Sequence, residues 1–261
     1  MVAAIRTIAA RGDAGGRLLE DDVIGRLVDP AELEEIQNLL KLGTATYEFV
    51  VSRCCYIDNW LHRFRADGGR TVLLLGAGLD SRSCRFPGLG FIEVDSPMAV
   101  KAKRELLKTR GIDPQCEVRY VGTDLAAILT AEEPSLGIEI GVLEQPVAVV
   151  AEGLVYYLPK EAIGGLFGIV RSHPGVRVIL DYMDDRLFER QAPQSFERRI
   201  RAEGELVTSL WSVAEMEGLF EQAGLTVLEK VDTYELIRRD FPKTAVTFSS
   251  NHIIAGQARV A

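Results

Sequence analysis

"TVLLLGAGLDSRSCRF", residues 71–86, puts five uncharged residues ahead of a Gly76-Ala77-Gly78 turn and follows them with an acid, Asp80. Thr71 to Leu75 reads as a buried strand that stops at glycine. In an open parallel sheet, ligands bind beyond the carboxyl ends of the strands, which is where this loop lies. Glycines at 76 and 78 permit unusual backbone angles and leave no Cβ between the peptide groups and a ligand. A plain tight turn would use the same glycines, so the reading depends on what accompanies them.

Three further stretches supply carboxylates at strand ends. "GFIEVDSP", residues 90–97, ends a strand on Asp95, 19 residues after Gly76. An acid there accepts hydrogen bonds from the two hydroxyls of a ribose. A helix cap ahead of Pro97 is the competing use, and Ser96 suits that at least as well. "VRYVGTDL", residues 118–125, places Asp124 and Leu125 after another strand. There Asp124 is equally a helix cap or an acceptor for an adenine amino group, with Leu125 packed on the ring. "VAVVAEGLVYYLP", residues 147–159, ends an apolar strand on Glu152. An unpaired carboxylate in such surroundings costs several kcal/mol, so Glu152 should meet a cation or a polar ligand.

The loop also discriminates between nucleoside cofactors. A pyrophosphate loop reads G-x-G-x-x-G, with its third glycine beneath the phosphates. Here position 81 is Ser, and Asp80 would repel a diphosphate. S-adenosylmethionine has no phosphate and carries a sulfonium and an ammonium, so carboxylates around it are favourable. The expected ligands are this compound and its product, S-adenosylhomocysteine.

Around these motifs the chain reads as an α/β protein. Candidate strands are Thr71 to Leu75, Gly90 to Val94, Glu117 to Val121, Val147 to Ala151, Val176 to Asp181, Leu225 to Val231 and Ser249 to Gln257, alternating for the most part with helical stretches. The twenty or so residues between the last two strands contain "RRDFP" without a clean helical period, which predicts antiparallel pairing there. From about Asp29 to Phe64 the pattern is helical, with Val50, Cys54, Ile57, Leu61 and Phe64 on one face. We therefore expect an N-terminal helical extension over residues 1–66, a core over 67–261, and an inserted lid helix at about 184–204.

Composition bounds the partners. A formal charge of −8 with scattered basic residues argues against a phosphate-tracking surface, hence against nucleic acid. The longest apolar stretch, Val147 to Leu158, is interrupted by Glu152 and is too short to span a membrane. The first sixteen residues contain two arginines and do not read as a secretory signal, so a cytoplasmic protein is expected. Four cysteines without a C-x-x-C pair suggest neither zinc nor disulfides, and oligomeric state is not readable.

In order and spacing, "LLLGAGLDSRSCRF", "FIEVDSPMAVKAKRELL", "GTDL" and "AEGLVYYLP" resemble the leucine carboxyl methyltransferase family, most clearly over residues 45–160. The resemblance implies a class I methyltransferase fold, Rossmann-like, with seven mostly parallel strands and the last antiparallel. It implies methyl transfer from S-adenosylmethionine to a carboxylate or hydroxyl of a small molecule. It also implies that Gly76, Ala77, Gly78 and Asp80 surround the cofactor, that Asp95 with Ser96 holds the ribose, and that Asp124 and Leu125 meet the adenine. Glu152 and Gly153 would lie by the methionyl end, whose carboxylate would pair with Arg53 of "VSRCCYIDNWL"; Arg11 is a second basic candidate. Where family members usually carry an aromatic residue in the glycine loop, this chain has Cys84.

A carboxylate acceptor is already ionised at neutral pH and needs no base, whereas a hydroxyl acceptor does. The candidates near the acceptor are Tyr156, Tyr157, Tyr182 and His252, with core packing as the alternative use of the tyrosines. Two other functions share some of these features: a nicotinamide-dependent oxidoreductase, which would lack its third glycine here, and a catalytically idle relative that kept only the cofactor pocket.

Overall fold

The computed structural model describes residues 1–12, 18–40, 45–136, 143–171, 173–184, 207–247 and 249–259. Its centre is β1 (Thr71–Leu75), all five residues of which are buried. β1 lies parallel to both β2 (Gly90–Asp95) and β4 (Val147–Ala151), and a strand covered on both faces has no polar side to alternate. The sheet continues through β3 (Val118–Gly122), β5 (Arg177–Met183), β6 (Leu225–Asp232) and β7 (Asn251–Ala258), in the order β3-β2-β1-β4-β5-β7-β6. β7 runs antiparallel to β5 and to β6, as expected from the sequence.

Period-two alternation divides β1 between two cores. Leu73 and Leu75 join the side packed by α6 (Leu125–Leu129), α7 (Lys160–Arg171) and α8 (Val213–Gln222), which contribute Leu129, Phe167 and Phe220. Val72 and Leu74 join the side packed by α4 (Ala45–Ala66), through Ile57, Trp60, Leu61 and Phe64. The predicted apolar stripe of α4 is thus divided: Ile57, Leu61 and Phe64 are seated on the sheet, while Val50 and Cys54 face the helices that precede it. Preceding it are α1 (Val2–Arg11), α2 (Ile24–Leu27) and α3 (Pro30–Leu40), and Ile5 and Ile8 of α1 pack with Val50 and Cys54 of α4.

Local signals set the helix starts beside the sheet's carboxyl edge. Ser96 caps α5 (Pro97–Thr109) by accepting from Ala99 N at 3.2 Å, with Pro97 at its first position. Asp124 caps α6, accepting from Ala127 N at 3.1 Å. The predicted lid helix, at about 184–204, lies outside the described residues except for Asp184. One expectation is corrected: between β6 and β7 the chain does form a helix, α9 (Thr233–Asp240), which packs against α4 and is capped by Asp232. Two turns are too few for periodicity to register, and burial of Leu236 and Ile237 holds it in place. Among the described residues no helix is long and apolar enough to cross a membrane.

Candidate functional site

The turn after β1 and the acid ending β2 form one unit. Gly76 and Gly78 have φ of +65° and +42°, left-handed values that side chains disfavour. Gly78 N donates to Asp95 Oδ2 at 2.7 Å, and Ser96 N donates to Oδ1 at 2.6 Å. A Cβ at position 78 would meet nothing within 4 Å, so the space over this peptide is open. Asp95 is half-buried and keeps lone pairs for a further donor. Thr123 N donates to Asp95 O at 2.7 Å, tying the end of β3 to the same place. Asp124 is exposed there, whereas Leu125 is buried in the core.

Beyond β4 lies a cluster of buried charges. Arg53 of α4 is buried and donates from Nε to Glu152 Oε1 at 3.2 Å, and from Nη1 to Asp181 Oδ2 at 2.8 Å and Tyr156 OH at 3.2 Å. A surface position for Arg53 is therefore excluded. Gly153, with φ +66°, donates its N–H to Asp181 Oδ1 at 2.6 Å. A Cβ on Gly153 would stand 3.3 Å from Arg53 Nη2.

Glu152 is met by a second guanidinium. Arg82, fully buried in the short helical turn Arg82–Cys84 after the glycine loop, places Nη2 2.7 Å from Glu152 Oε2. Its Nε reaches Asp58 at 2.6 Å and its Nη1 reaches Asp80 at 2.7 Å. The carboxylate of Asp80 thus faces inward onto Arg82 and Arg6. Burial would raise the Glu152 carboxyl, but Arg82, Arg53 and Arg6 outweigh it and hold the group well below the usual carboxylate range. Asp80 is lowered in the same way, burial being overcome by Arg82 and Arg6. Burial dominates at Asp181, which is raised despite Arg53 and the Gly153 N–H. The thiol of Cys54, 3.0 Å from Glu152 Oε1, is pushed well up by burial and by that carboxylate.

The acceptor-side candidates sit at the same edge of the sheet. Tyr156 is buried against Arg53, and Tyr157 packs edge-on to it at 4.6 Å. Tyr182 and His252 face each other across β5 and β7 with rings 5.3 Å apart, and His252 Nε2 lies 2.9 Å from Asp184 Oδ2. Trp211, part of the main core, donates its backbone N–H to Met183 O at 3.0 Å beside this end of β5.

Sequence reasoning missed Arg6, Asp21, Asp58, Arg82 and Asp181. Arg6, not the exposed Arg11, is the buried basic residue of the first helix. A usable signal existed for Asp181: like Glu152, it stands in an apolar strand, "VILDY", and must meet a cation there. Glu93 in "FIEV" is the same case, paired with the buried Lys103 at 2.6 Å.

The leucine carboxyl methyltransferase family model matches residues 1–171. A protein of Mycolicibacterium smegmatis with the provisional name S-adenosyl-L-methionine-dependent methyltransferase is 36% identical over 146 residues, 54% of this chain and 48% of its own. One of the same name from Mycobacterium ulcerans is 31% identical over 200 residues, 71% of this chain and 65% of its own. The chain spans about half to two thirds of the length of these curated relatives. Among solved structures, a DUF574 family protein of Streptomyces avermitilis superposes with a TM-score of 0.62 at 18% identity, covering 98% of this chain and 97% of that one. Magnesium protoporphyrin IX methyltransferase of Synechocystis, with bound SAH, gives 0.53 at 15% identity, covering 84% and 88%. At these identities the structural likeness shows the fold.

Proposed function

Since this chain belongs to the leucine carboxyl methyltransferase family, we propose that it is an S-adenosylmethionine-dependent methyltransferase acting on an oxygen of a small molecule. The observation that carries this reading is the buried Arg53–Glu152 pair beside an open glycine loop tethered to Asp95. A guanidinium and a carboxylate side by side match the carboxylate and ammonium of an amino acid, and Asp95 suits the ribose of a nucleoside joined to it. The absence of a third glycine and the inward-facing acids disfavour a dinucleotide.

In this reading Asp95 accepts from the ribose hydroxyls, Gly78 leaves the backbone open to the ligand while Gly76 turns the chain against Leu154 and Ala77 packs in the core, and Ser96 starts the helix beside it. Asp124 and Leu125 belong to the adenine side; the helix cap made by Asp124 leaves its second oxygen for the amino group. Arg53 takes the carboxylate over Gly153, and Glu152 takes the ammonium. When bound, the cofactor supplies an electrophilic methyl group on sulfur. The surrounding residues orient the acceptor and exclude water, which is sufficient for an acceptor that is already ionised. Tyr157 and Tyr182 shape that side of the pocket.

The His252–Asp184 contact favours a second reading in which the acceptor is a hydroxyl. A histidine oriented by a carboxylate at a strand end is the arrangement a general base requires. Isothermal titration with S-adenosylhomocysteine and with NAD tests the cofactor; binding of NAD alone would overturn the reading. Transfer of labelled methyl from S-adenosylmethionine to a panel of carboxylic acids and phenols distinguishes the two acceptors.

A further inference from the structure

Arg82 has no place in the ligand contacts above, yet it is engaged on all sides by carboxylates. It is fully buried and joins three carboxylates from three elements: Asp58 of α4 at 2.6 Å, Asp80 of the glycine loop at 2.7 Å, and Glu152 after β4 at 2.7 Å. The two oxygens of Glu152 are consequently held unequally. Oε2 lies 2.7 Å from Arg82, while Oε1 has Arg53 Nε at 3.2 Å and the Cys54 thiol at 3.0 Å. Arg53 for its part has a firmer partner in Asp181 at 2.8 Å, and its Nη2 makes no hydrogen bond among the described residues.

An amino-acid zwitterion entering between Arg53 and Glu152 exchanges like for like. Arg53 gives up one carboxylate and gains another, Glu152 gives up a guanidinium nitrogen and gains an ammonium, and the buried charge stays balanced. The exchange requires that Glu152 stay where it is when Arg53 lets go. Without a second cation on Oε2, the carboxylate would instead close fully onto Arg53 and occupy the ligand's place. We propose that Arg82 is a positioning residue for the amino-acid end of the cofactor: it holds Glu152 at its farther oxygen and thereby makes the site selective for ligands carrying both an ammonium and a carboxylate. This rests on the methyltransferase reading and concerns only the methionyl half of the site.

Removing Arg82 leaves none of its three partners without a cation, because Asp58 keeps Arg85 at 2.7 Å, Asp80 keeps Arg6 at 3.5 Å and Glu152 keeps Arg53. A folded Arg82→Met protein is therefore attainable, and circular dichroism checks it. Two probes separate the halves of the ligand: S-adenosylhomocysteine, with its amino-acid end, and 5′-methylthioadenosine, the same nucleoside thioether without one. By calorimetry, Arg82→Met should weaken the first by roughly tenfold or more, as loss of the buried cation paired with Glu152 Oε2 does, and leave the second within about twofold. Arg82→Lys should lose S-adenosylhomocysteine affinity to a smaller degree. If Arg82→Met fails to fold, Asp58→Asn, which loosens Arg82 from one side, should show the same ligand-selective loss. Equal loss for both probes, or none for S-adenosylhomocysteine, overturns the proposal while the cofactor reading stands. A wild-type protein that binds neither probe overturns both.

Discussion

Arg6 Nη2 donates to Ser81 Oγ at 3.0 Å, so the first helix of the chain is bonded to the loop that follows β1. The same guanidinium holds Asp21 at 2.9 Å and lies 3.5 Å from Asp80. Arg6→Ala takes the nearer of two cations from buried Asp21, leaving it Arg85 at 3.4 Å and the Ser81 hydroxyl, and leaves Asp80 with Arg82 alone. It should cost about 3 kcal/mol or more in urea denaturation, and it should weaken S-adenosylhomocysteine binding by loosening the loop. Arg11→Ala, at an exposed position, should fall within about 0.5 kcal/mol of wild type.

Asp95→Ala removes the acceptor for Gly78 N and for Ser96 N together with the proposed ribose contact. Calorimetry should show S-adenosylhomocysteine affinity falling by roughly tenfold or more. An unchanged dissociation constant would count against the ribose assignment.

Gly153→Ala places a methyl 3.3 Å from Arg53 Nη2 at a backbone φ of +66°. Left-handed backbone alone costs an alanine roughly 1–2 kcal/mol, and the contact pushes Arg53 from its partners. Both the melting temperature and affinity for S-adenosylhomocysteine should drop. Gly164→Ala, where a Cβ meets nothing within 4 Å, should leave affinity unchanged.

Lys103 and Glu93 form a buried pair at 2.6 Å behind the glycine loop, where Lys103 Nζ also donates to Asp80 O at 2.6 Å and Ser83 Oγ donates to Glu93 Oε1 at 2.8 Å. Lys103→Met alone leaves Glu93 without a cation and should cost about 3–5 kcal/mol by denaturant titration, whereas Lys103→Met with Glu93→Leu should recover part of that loss, Asp80 O and Ser83 Oγ still lacking their partners. A double mutant as unstable as the single would show that the pair is needed for packing rather than for charge.

Acid should destabilise the protein through Glu152. Its carboxyl is held below the unfolded value, so its contribution is present above the unfolded pKa and is lost as pH falls through the folded one. Asp80, also lowered, acts in the same direction, while Asp181, raised by burial, opposes it: its protonated form is the one folding favours. Below about pH 4.3, the ordinary glutamate value, stability should decline, and Glu152→Gln should flatten that decline. Denaturant titrations at stepped pH measure both slopes, and identical slopes would refute the assignment to Glu152.

Much of the fold was legible because burial leaves a local trace. The five uncharged residues of β1, the apolar stripe from Val50 to Phe64, and the caps at Ser96 and Asp124 each follow from neighbours within a few positions. α9 escaped because its eight residues are fewer than the window over which a period is read, although Leu236 and Ile237 share a buried face against α4.

For the site, the sequence by itself determined that a glycine turn and carboxylates stand at successive strand ends, since strand, turn and cap chemistry are short-range. Which cation meets which carboxylate was decided only by the tertiary structure. Arg6, Arg53 and Arg82 converge on Asp80 and Glu152 from a first helix, a fourth helix and a loop, up to 99 residues apart along the chain for Arg53 and Glu152. Buried charge must be neutralised somewhere, and the chain alone states that requirement; the partner is fixed by packing, which brings distant guanidinium groups into reach.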